Sequence, residues 1–184
     1  MKMVEDSLSP ASITDKLETR FIGQRVIYHP RVTSTNELAK QEAQRGAVDG
    51  TVVIAAEQTA GKGRLKRVWL SPKGSVALSI ILYPSVVYLP SLIMVASLAV
   101  AHSIEAVTGL KPQLKWPNDV LVNGRKVSGI LIENNVQGSI VNYAIIGIGV
   151  NVNLKLSDFP GILPAATSLS DELGRDATII REGK

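Results

Sequence analysis

The stretch Asp119-Val-Leu-Val-Asn-Gly-Arg-Lys-Val-Ser-Gly-Ile-Leu-Ile-Glu133 holds two apolar runs on either side of Asn123-Gly124. Asn-Gly is the preferred pair for a two-residue type I′ turn, because both of its positions require positive φ. The stretch therefore predicts two antiparallel strands, residues 119–122 and 126–133, joined by a tight hairpin. We expect this pair to lie within a larger sheet.

The segments on both sides of this hairpin alternate between strand and helix patterns. Runs rich in β-branched and apolar residues predict strands at 25–29, 51–56, 75–83, 113–116 and 139–150. Helices are predicted at 9–19, where Ser9-Pro10 opens the first turn, and at 91–108. This order predicts one α+β domain with a mixed, mainly antiparallel sheet and helices packed on it.

A third helix is predicted behind Ser34-Thr-Asn-Glu37, which has the capping-box pattern. In that motif the Ser34 side chain holds the backbone amide of Glu37. The helix is expected to end near Arg45, because Gly46 is a typical stop residue.

The composition narrows the class of function. The chain has 184 residues with 20 Lys and Arg, 16 Asp and Glu, no Cys, and only His29 and His102 as histidines. The absence of cysteine rules out a disulfide scaffold, a thiolate zinc site and a cysteine nucleophile. A multi-histidine metal site is nearly excluded as well. The net charge of +4 permits an anionic partner without naming one.

The positive charge is concentrated on one segment. Between Gln58 and Ile104 there are no acidic residues, whereas the rest of the chain has fifteen bases and sixteen acids. The five bases of this segment are Lys62, Arg64, Lys66, Arg67 and Lys73. The glycines among them predict a loop that either cradles a phosphate or is merely solvated. The loop lacks Walker A spacing, and a nucleic-acid site would need a broader basic face.

The charge-free run from residue 74 to residue 104 is the only candidate for a membrane span. Pro84 and Pro90 divide this run, so it is predicted to form a buried strand followed by a core helix. The N-terminal residues 1–6 lack the basic-then-apolar pattern of a signal peptide. The sequence therefore predicts a cytoplasmic protein without a membrane partner.

Each of three further motifs can be explained either by a local structural role or by ligand binding. Lys115-Trp-Pro-Asn-Asp119 interrupts a strand, and its last two residues either form a turn or hold a metal–phosphate complex or a polar heterocycle. Gly147-Ile-Gly149 places glycines inside a strand, where a bulge or the close approach of a ligand explains them. Lys126 becomes functional only if its strand directs it into a pocket.

Taken in order, these motifs resemble the catalytic domain of the biotin–protein ligases. The resemblance runs from about Ser9 to Leu173 and is carried by five motifs: Ser34-Thr-Asn36, Glu57-Gln-Thr-Ala-Gly-Lys-Gly-Arg64, Lys115-Trp-Pro-Asn-Asp119, Gly124-Arg-Lys-Val-Ser-Gly-Ile-Leu131 and Gly147-Ile-Gly-Val-Asn-Val-Asn153. It implies a mixed, mainly antiparallel sheet with helices on one side, related to class II aminoacyl-tRNA synthetases. It also implies that residues 1–184 are a single catalytic domain, with the family's small C-terminal β domain missing or truncated.

The resemblance implies a two-step reaction. Family members join biotin to ATP with Mg²⁺, giving biotinyl-5′-adenylate and pyrophosphate. They then transfer biotin to one lysine of the biotin carboxyl carrier domain of a carboxylase. A homodimer is a further expectation, and nucleic acid is not an expected partner.

The resemblance also assigns the site residues. Biotin would contact Ser34, Thr35, Asn36, Gln58, Lys62, Gly63, Arg64, Lys126 and Gly129, with Gln58 bonded to the ureido group. ATP would contact Lys62, Arg64, Arg67, Trp69, Lys115, Asn118, Asp119, Lys126 and Asn151. Lys126 and Arg64 would be catalytic, and Asp119 would hold Mg²⁺.

The sequence departs from the family pattern at two positions of the loop. Lys62 stands where arginine is usual, which gives up bidentate geometry and keeps the charge, and Lys66 stands where glycine is common. Three alternatives stay open: a lipoate–protein ligase, a biotin-operon repressor and a non-catalytic biotin-binding fragment. The repressor would need a helix-turn-helix, and about thirty residues precede Ser34, enough for one helix and one strand.

Overall fold

Seven strands and four α-helices are described in the computed structural model, which covers residues 10–15, 17–159, 161 and 165–177. The strands are β1 (Val26–His29), β2 (Val52–Ala55), β3 (Ser75–Leu82), β4 (Gln113–Lys115), β5 (Asp119–Val122), β6 (Arg125–Gln137) and β7 (Ile140–Asn151). The helices are α1 (Pro10–Thr14), α2 (Thr35–Gln44), α3 (Leu89–Thr108) and α4 (Leu169–Leu173).

All seven strands belong to one sheet, in the order β1-β2-β3-β7-β6-β5-β4. Strands β1 and β2 are parallel because α2 lies between them and returns the chain to the same end of the sheet. The other neighbouring strands pair antiparallel. The predicted fold class, α+β with a mixed and mainly antiparallel sheet, is confirmed.

The predicted hairpin between β5 and β6 is also confirmed. Asn123 has φ 50° and Gly124 has φ 76°, the two positive values that a type I′ turn requires. Strand β6 continues to Gln137, beyond the predicted end at Glu133, because it stays paired with β7 from Ser128 to Gln137.

The helices cover both faces of the sheet, which corrects the expectation that they lie on one side. Ala39 and Ala43 of α2 pack with Ile81 and Ile145. The residues next to these two isoleucines, Ile80 and Ile146, instead pack with α3 in a second core. Since successive strand residues face opposite sides, α2 and α3 lie on opposite faces. We refer to these as the α2 face and the α3 face.

Helix α3 is the longest of the described helices and is strongly apolar. The segment Val86–Thr108 is long and apolar enough, by length and composition, to cross a membrane. Ala96, Val100 and Ile104 of this helix are buried in the core of the α3 face, whereas Met94 is exposed. The predicted division into a strand and a helix is therefore confirmed, but only four of the twenty residues of α3 are buried, so the prediction of a core helix holds for one side of it alone. The absence of a membrane partner stays a prediction.

The predictions for the two helices near the N-terminus hold only in part. Helix α1 ends at Thr14, five residues before the predicted end, and Ser9 lies outside the described residues. Ser34 is the N-cap residue of α2, but its side chain makes no capping hydrogen bond, so the predicted capping box is wrong. Glu37 instead pairs with lysines, as described below. Helix α2 ends at Gln44, before Gly46, as predicted.

Helix α4 is tied to the β5–β6 hairpin through Glu172, whose side chain is only 4% exposed. Its carboxylate accepts hydrogen bonds of 2.6 Å from Thr167, Asn123 and Arg125. Burial alone would raise the pKa of Glu172, but these donors and the Arg125 charge hold it below the ordinary value of 4.5. The ionised form therefore stabilises the fold at neutral pH.

Glu172→Gln is expected to lower the free energy of unfolding by about 1–3 kcal/mol at pH 7, because a buried charged acceptor is lost. A lowered folded pKa gives stability that is present above pH 4.5 and lost as the pH falls through the folded value. The difference between the two proteins should therefore shrink below about pH 4.5. Urea unfolding from pH 7 to pH 3 measures it, with exposed Glu18→Gln as the control; a constant difference contradicts the assignment.

Candidate functional site

A pocket lies on the α2 face between the centre of the sheet and the basic loop, which we define as residues 58–67. Its walls come from the N-terminal end of α2, the basic loop, the β4–β5 turn and the middle of β6 and β7. The lining residues include Ser34, Thr35, Asn36, Gln58, Lys62, Gly63, Arg64, Arg67, Trp69, Asn118, Asp119, Lys126, Gly129, Gly147 and Gly149. The fold thus brings together almost all of the site residues that the sequence predicts.

The floor of the pocket is made by three glycines, Gly129, Gly147 and Gly149, which we call the glycine stripe. Gly129 and Gly149 are partners on β6 and β7. A Cβ on Gly147 would collide with the Asn36 side chain, and one on Gly149 would collide with the Trp69 ring. The glycines therefore make room for the Asn36 and Trp69 side chains, which explains them without a bulge, and close approach by a ligand stays a prediction.

A polar network holds one end of the pocket. The Ser79 hydroxyl donates to Asn36 Oδ1 at 2.6 Å and lies 2.8 Å from the Thr35 hydroxyl. Asn36 Nδ2 donates to Glu133 Oε2 at 2.7 Å. Ser79, Thr35 and Asn36 are all at least 95% buried. Because both ends of its amide are bonded, Asn36 has one fixed orientation.

Gln58 is oriented by the same network. The Thr35 backbone N–H donates to Gln58 Oε1 at 2.8 Å, and the Thr35 hydroxyl lies 3.1 Å from the same oxygen. Because the amide oxygen of Gln58 accepts from Thr35, its Nε2 group is left as a hydrogen-bond donor at the pocket that Gln58 lines. This end of the pocket therefore suits a ligand with a carbonyl oxygen.

Lys126 reaches the pocket because of a β-bulge. The β5–β6 register pairs Leu121 with Lys126 but Val120 with Ser128, so Val127 is an extra residue. Regular alternation would place Lys126 on the face opposite Gly129. With the bulge, Val127 packs in the core of the α3 face and Lys126 lines the pocket. Bulges re-aim side chains at functional sites in this way.

The ammonium group of Lys126 lies among groups from three segments. Its Nζ is 2.7 Å from Asp119 Oδ1 and 5.3 Å from the centre of the Trp69 ring. Its backbone is fixed by Ala165 and Thr167, which accept from and donate to it at 3.0 Å and 2.8 Å. The charge is thus aimed at the pocket while the chain around it is held by the segment before α4.

The basic loop lies across the mouth of the pocket. Arg64 donates to Asn118 Oδ1 at 3.2 Å, so the loop contacts the β4–β5 turn on the far wall. Leu65 and Lys66 at its tip have φ values of 54° and 61°, a conformation that costs non-glycine residues about 1–2 kcal/mol each. Lys66 therefore stands at a position where the glycine that is common in the family would relieve backbone strain.

The charges of the pocket favour an anion. Four of its lining residues, Lys62, Arg64, Arg67 and Lys126, are basic, and Asp119 is its one acidic residue among those described. Asp119 already lies beside Lys126. Lys62 also pairs with a carboxylate, that of Glu37 on α2, and the four basic residues still leave the pocket with a net positive charge for phosphate or carboxylate groups.

Two residues that the resemblance assigns to ATP lie elsewhere. Lys115 is exposed and lines an apolar cleft with Met94 and Trp116. Asn151 is buried at the end of β7, beyond the glycine stripe, and its Nδ2 donates to the Thr167 carbonyl at 3.0 Å. Contact of either residue with a nucleotide stays a prediction.

Several residues of the site were missed by the sequence reasoning. Glu37, Lys40 and Glu133 form a charged chain beside the pocket; the sequence singled out Glu37 only as part of the capping box and the other two not at all. Ser79 had a signal, since it is a small polar residue inside an apolar strand pattern. Its role depends on contacts with α2, more than forty residues away in the sequence.

The described residues offer little to a metal ion by themselves. They contain no group of three or more His, Asp and Glu side chains able to hold one. Asp119 is the one carboxylate that lines the pocket among them. This fits a Mg²⁺ ion that takes one protein carboxylate and is otherwise held by substrate phosphates, the usual arrangement for this ion.

Comparison with known proteins defines the class. Residues 28–151 match the model of the biotin/lipoate A/B protein ligase family. The match covers more than half of the chain, including the basic loop and the glycine stripe, so the chain belongs to this family. The resemblance inferred from the motifs is thereby confirmed.

Individual relatives are biotin ligases by name. The chain is 44% identical over 171 residues to the bifunctional ligase/repressor BirA of Bacillus subtilis, covering 91% of this chain and 53% of that protein. It is 39% identical over 141 residues to a biotin–[acetyl-CoA-carboxylase] ligase of Paracoccus denitrificans, covering 74% and 58%. The chain therefore spans about half the length of these relatives.

Solved structures agree with the fold. The Aquifex aeolicus biotin protein ligase in complex with biotin and ATP superposes with a TM-score of 0.71 and 35% identity, covering 83% of this chain and 62% of that one. The Leishmania major ligase in complex with biotinyl-5-AMP gives a TM-score of 0.68 and 28% identity, covering 84% and 68%.

Proposed function

We propose that the chain is the catalytic domain of a biotin–protein ligase, which makes biotinyl-5′-adenylate from biotin and ATP and transfers biotin to a lysine of a carrier domain. The observation that carries the proposal is the joining, on one face, of a carbonyl-binding end at Gln58 with a basic end at Lys126. Biotin has a ureido carbonyl at one end and a carboxylate at the other. The glycine stripe supplies the space between them.

In the first step the biotin carboxylate attacks the α-phosphorus of ATP, and pyrophosphate leaves. Both reactants are anions, so the main tasks are charge neutralisation and alignment. Lys126 would lie between the carboxylate and the α-phosphate, and Arg64 would fork onto a phosphate. No general base is needed, because the carboxylate is already ionised at neutral pH. Mg²⁺ would neutralise the phosphate oxygens, with Asp119 as its protein ligand.

In the second step the carrier lysine amine attacks the biotinyl carbonyl of the adenylate, and AMP leaves. The lysine must first lose a proton, and Asp119 is the acceptor that the pocket offers beside the reacting atoms. The basic loop would cover the mixed anhydride and exclude water during this interval.

The carrier domain of a biotin-dependent carboxylase is the proposed macromolecular partner. The names of the relatives from Paracoccus denitrificans and Aquifex aeolicus support a biotin ligase rather than a lipoate ligase. The basic residues lie on one loop, which supports a small anionic ligand over nucleic acid. Cytoplasmic location, the single-domain organisation, the state of the C-terminal β domain and a homodimer stay predictions.

The test is the formation of the intermediate. The chain is incubated with labelled biotin, ATP and Mg²⁺, and biotinyl-5′-adenylate and pyrophosphate are measured, with lipoate as a parallel substrate. We expect adenylate from biotin and little from lipoate. Adenylate from lipoate alone would support the lipoate ligase, and biotin binding without adenylate under any condition would support the non-catalytic fragment. Biotinylation of an added carrier domain tests the second step.

A further inference from the structure

A chain of charged groups connects the basic loop to the buried end of the pocket. Lys62 Nζ donates to Glu37 Oε1 at 2.6 Å, and Lys40 Nζ donates to the same oxygen at 3.0 Å. Lys40 also donates to Glu133 Oε1 at 2.7 Å, and the other oxygen of Glu133 accepts from Asn36. Two carboxylates and two ammonium groups thus alternate along one wall.

The loop is held on both sides of the pocket mouth. Arg64 contacts Asn118 on the β4–β5 turn, and Lys62, two residues earlier, contacts Glu37 on α2. Between these contacts, Gly63 lines the pocket. The side chain of Lys62 is directed toward α2, whereas the resemblance assigns Lys62 to the substrates. Its ion pair therefore fixes where the loop backbone lies.

We propose that Glu37 is a positioning residue that holds the basic loop closed over the pocket by pairing with Lys62, and so retains the adenylate between the two steps. The retention rests on the proposed function, whereas the pairing does not. Lysine in place of the usual arginine suits this geometry, because a point charge can share one carboxylate oxygen with Lys40. Glu133 and Lys40 keep that oxygen in place from the other side.

The electrostatics of Glu37 agree with this role. The hydrogen bond from Lys62, followed by that from Lys40, holds the pKa of Glu37 below its ordinary value of 4.5. Glu37 is therefore ionised throughout the neutral range. The Glu37 and Lys62 side chains are 36% and 51% exposed, so the pair is a modest contact that can open and close.

The pairing is tested without any ligand by limited trypsin digestion. The loop contains four trypsin sites, after Lys62, Arg64, Lys66 and Arg67. At low trypsin concentration the cleavage rate follows the population of the open loop. Glu37→Gln should raise cleavage at these sites about two- to fivefold, the range expected for a half-exposed ion pair. Glu42→Gln is the matched control, since it removes an ion pair to Arg45 on the same helix.

Retention is tested by the rate at which bound biotinyl-5′-adenylate leaves the protein. Glu37→Gln should release it about two- to fivefold faster, Glu37→Asp should restore part of the wild-type rate, and Glu42→Gln should leave it unchanged. Wild-type cleavage or release rates in Glu37→Gln would overturn the inference, and so would slower release, which would mean that Glu37 competes with the ligand for Lys62. If no adenylate forms in the wild type, the proposed function fails while the cleavage result still judges the pairing.

Discussion

Lys126→Ala is expected to reduce the rate of biotinyl-5′-adenylate formation by about 10²–10³-fold, the usual cost of removing one preorganised group that stabilises developing charge. The reason lies in its surroundings. Lys126 is the positively charged residue that the bulge directs onto the glycine stripe, and its Nζ lies 2.7 Å from Asp119. Without it, the biotin carboxylate and the α-phosphate would meet without this charge between them, and Asp119 would lose its ion-pair partner.

Single-turnover measurement of adenylate with labelled biotin checks this expectation. Lys111→Ala is the control, because Lys111 is 84% exposed and pairs with Glu105 outside the pocket. Lys126→Arg keeps the charge but replaces a compact ammonium with a planar fork, so it should restore only part of the rate. A loss of less than tenfold in Lys126→Ala would remove Lys126 from its proposed catalytic role.

Gly147→Ala is expected to weaken biotin binding at least tenfold, equivalent to about 1.4 kcal/mol. A Cβ at this position would collide with the Asn36 side chain. Asn36 cannot simply turn away, because Ser79 and Glu133 hold both ends of its amide at 2.6 Å and 2.7 Å. The substitution must therefore displace a buried network, which should also lower the free energy of unfolding by about 1–3 kcal/mol.

Isothermal titration with biotin and urea unfolding measure these two effects. Gly161→Ala is the matched control, because a Cβ there meets no atom of the described residues within 4 Å. Wild-type affinity in Gly147→Ala would show that the biotin head lies away from Asn36, and the assignment of this end of the pocket would then be wrong.

Local sequence signals predicted most of the elements because their causes are local. The Asn123-Gly124 turn and the stop at Gly46 follow from the ability of these residues to take positive φ. The prediction failed at Ser34, where local chemistry favoured a capping bond. In the folded chain Ser34 lines the pocket instead, and the Glu37 side chain pairs with Lys62, a residue 25 positions away.

The side of the sheet taken by each helix could not be read from the sequence. The residues of β3 on the α2 face include the polar Ser79 as well as Ile81, whereas Ile80 and Leu82 pack with α3, and this pattern does not say which helix covers which face. Both faces of the central strands are covered, and alternation then carries little information. The tertiary packing of α2 and α3 decided which face of the sheet each helix covers.

The sequence by itself determined the hairpin, the localised positive charge and, through its ordered motifs, the resemblance to the biotin–protein ligases. These depend on residue type and spacing, which do not change when the chain folds. The tertiary structure decided that Lys126 enters the pocket, that Lys115 stays outside it and that Glu37 holds Lys62. Each of these depends on strand register or on a contact between residues far apart in the chain, and a one-residue bulge is enough to move a side chain to the other face.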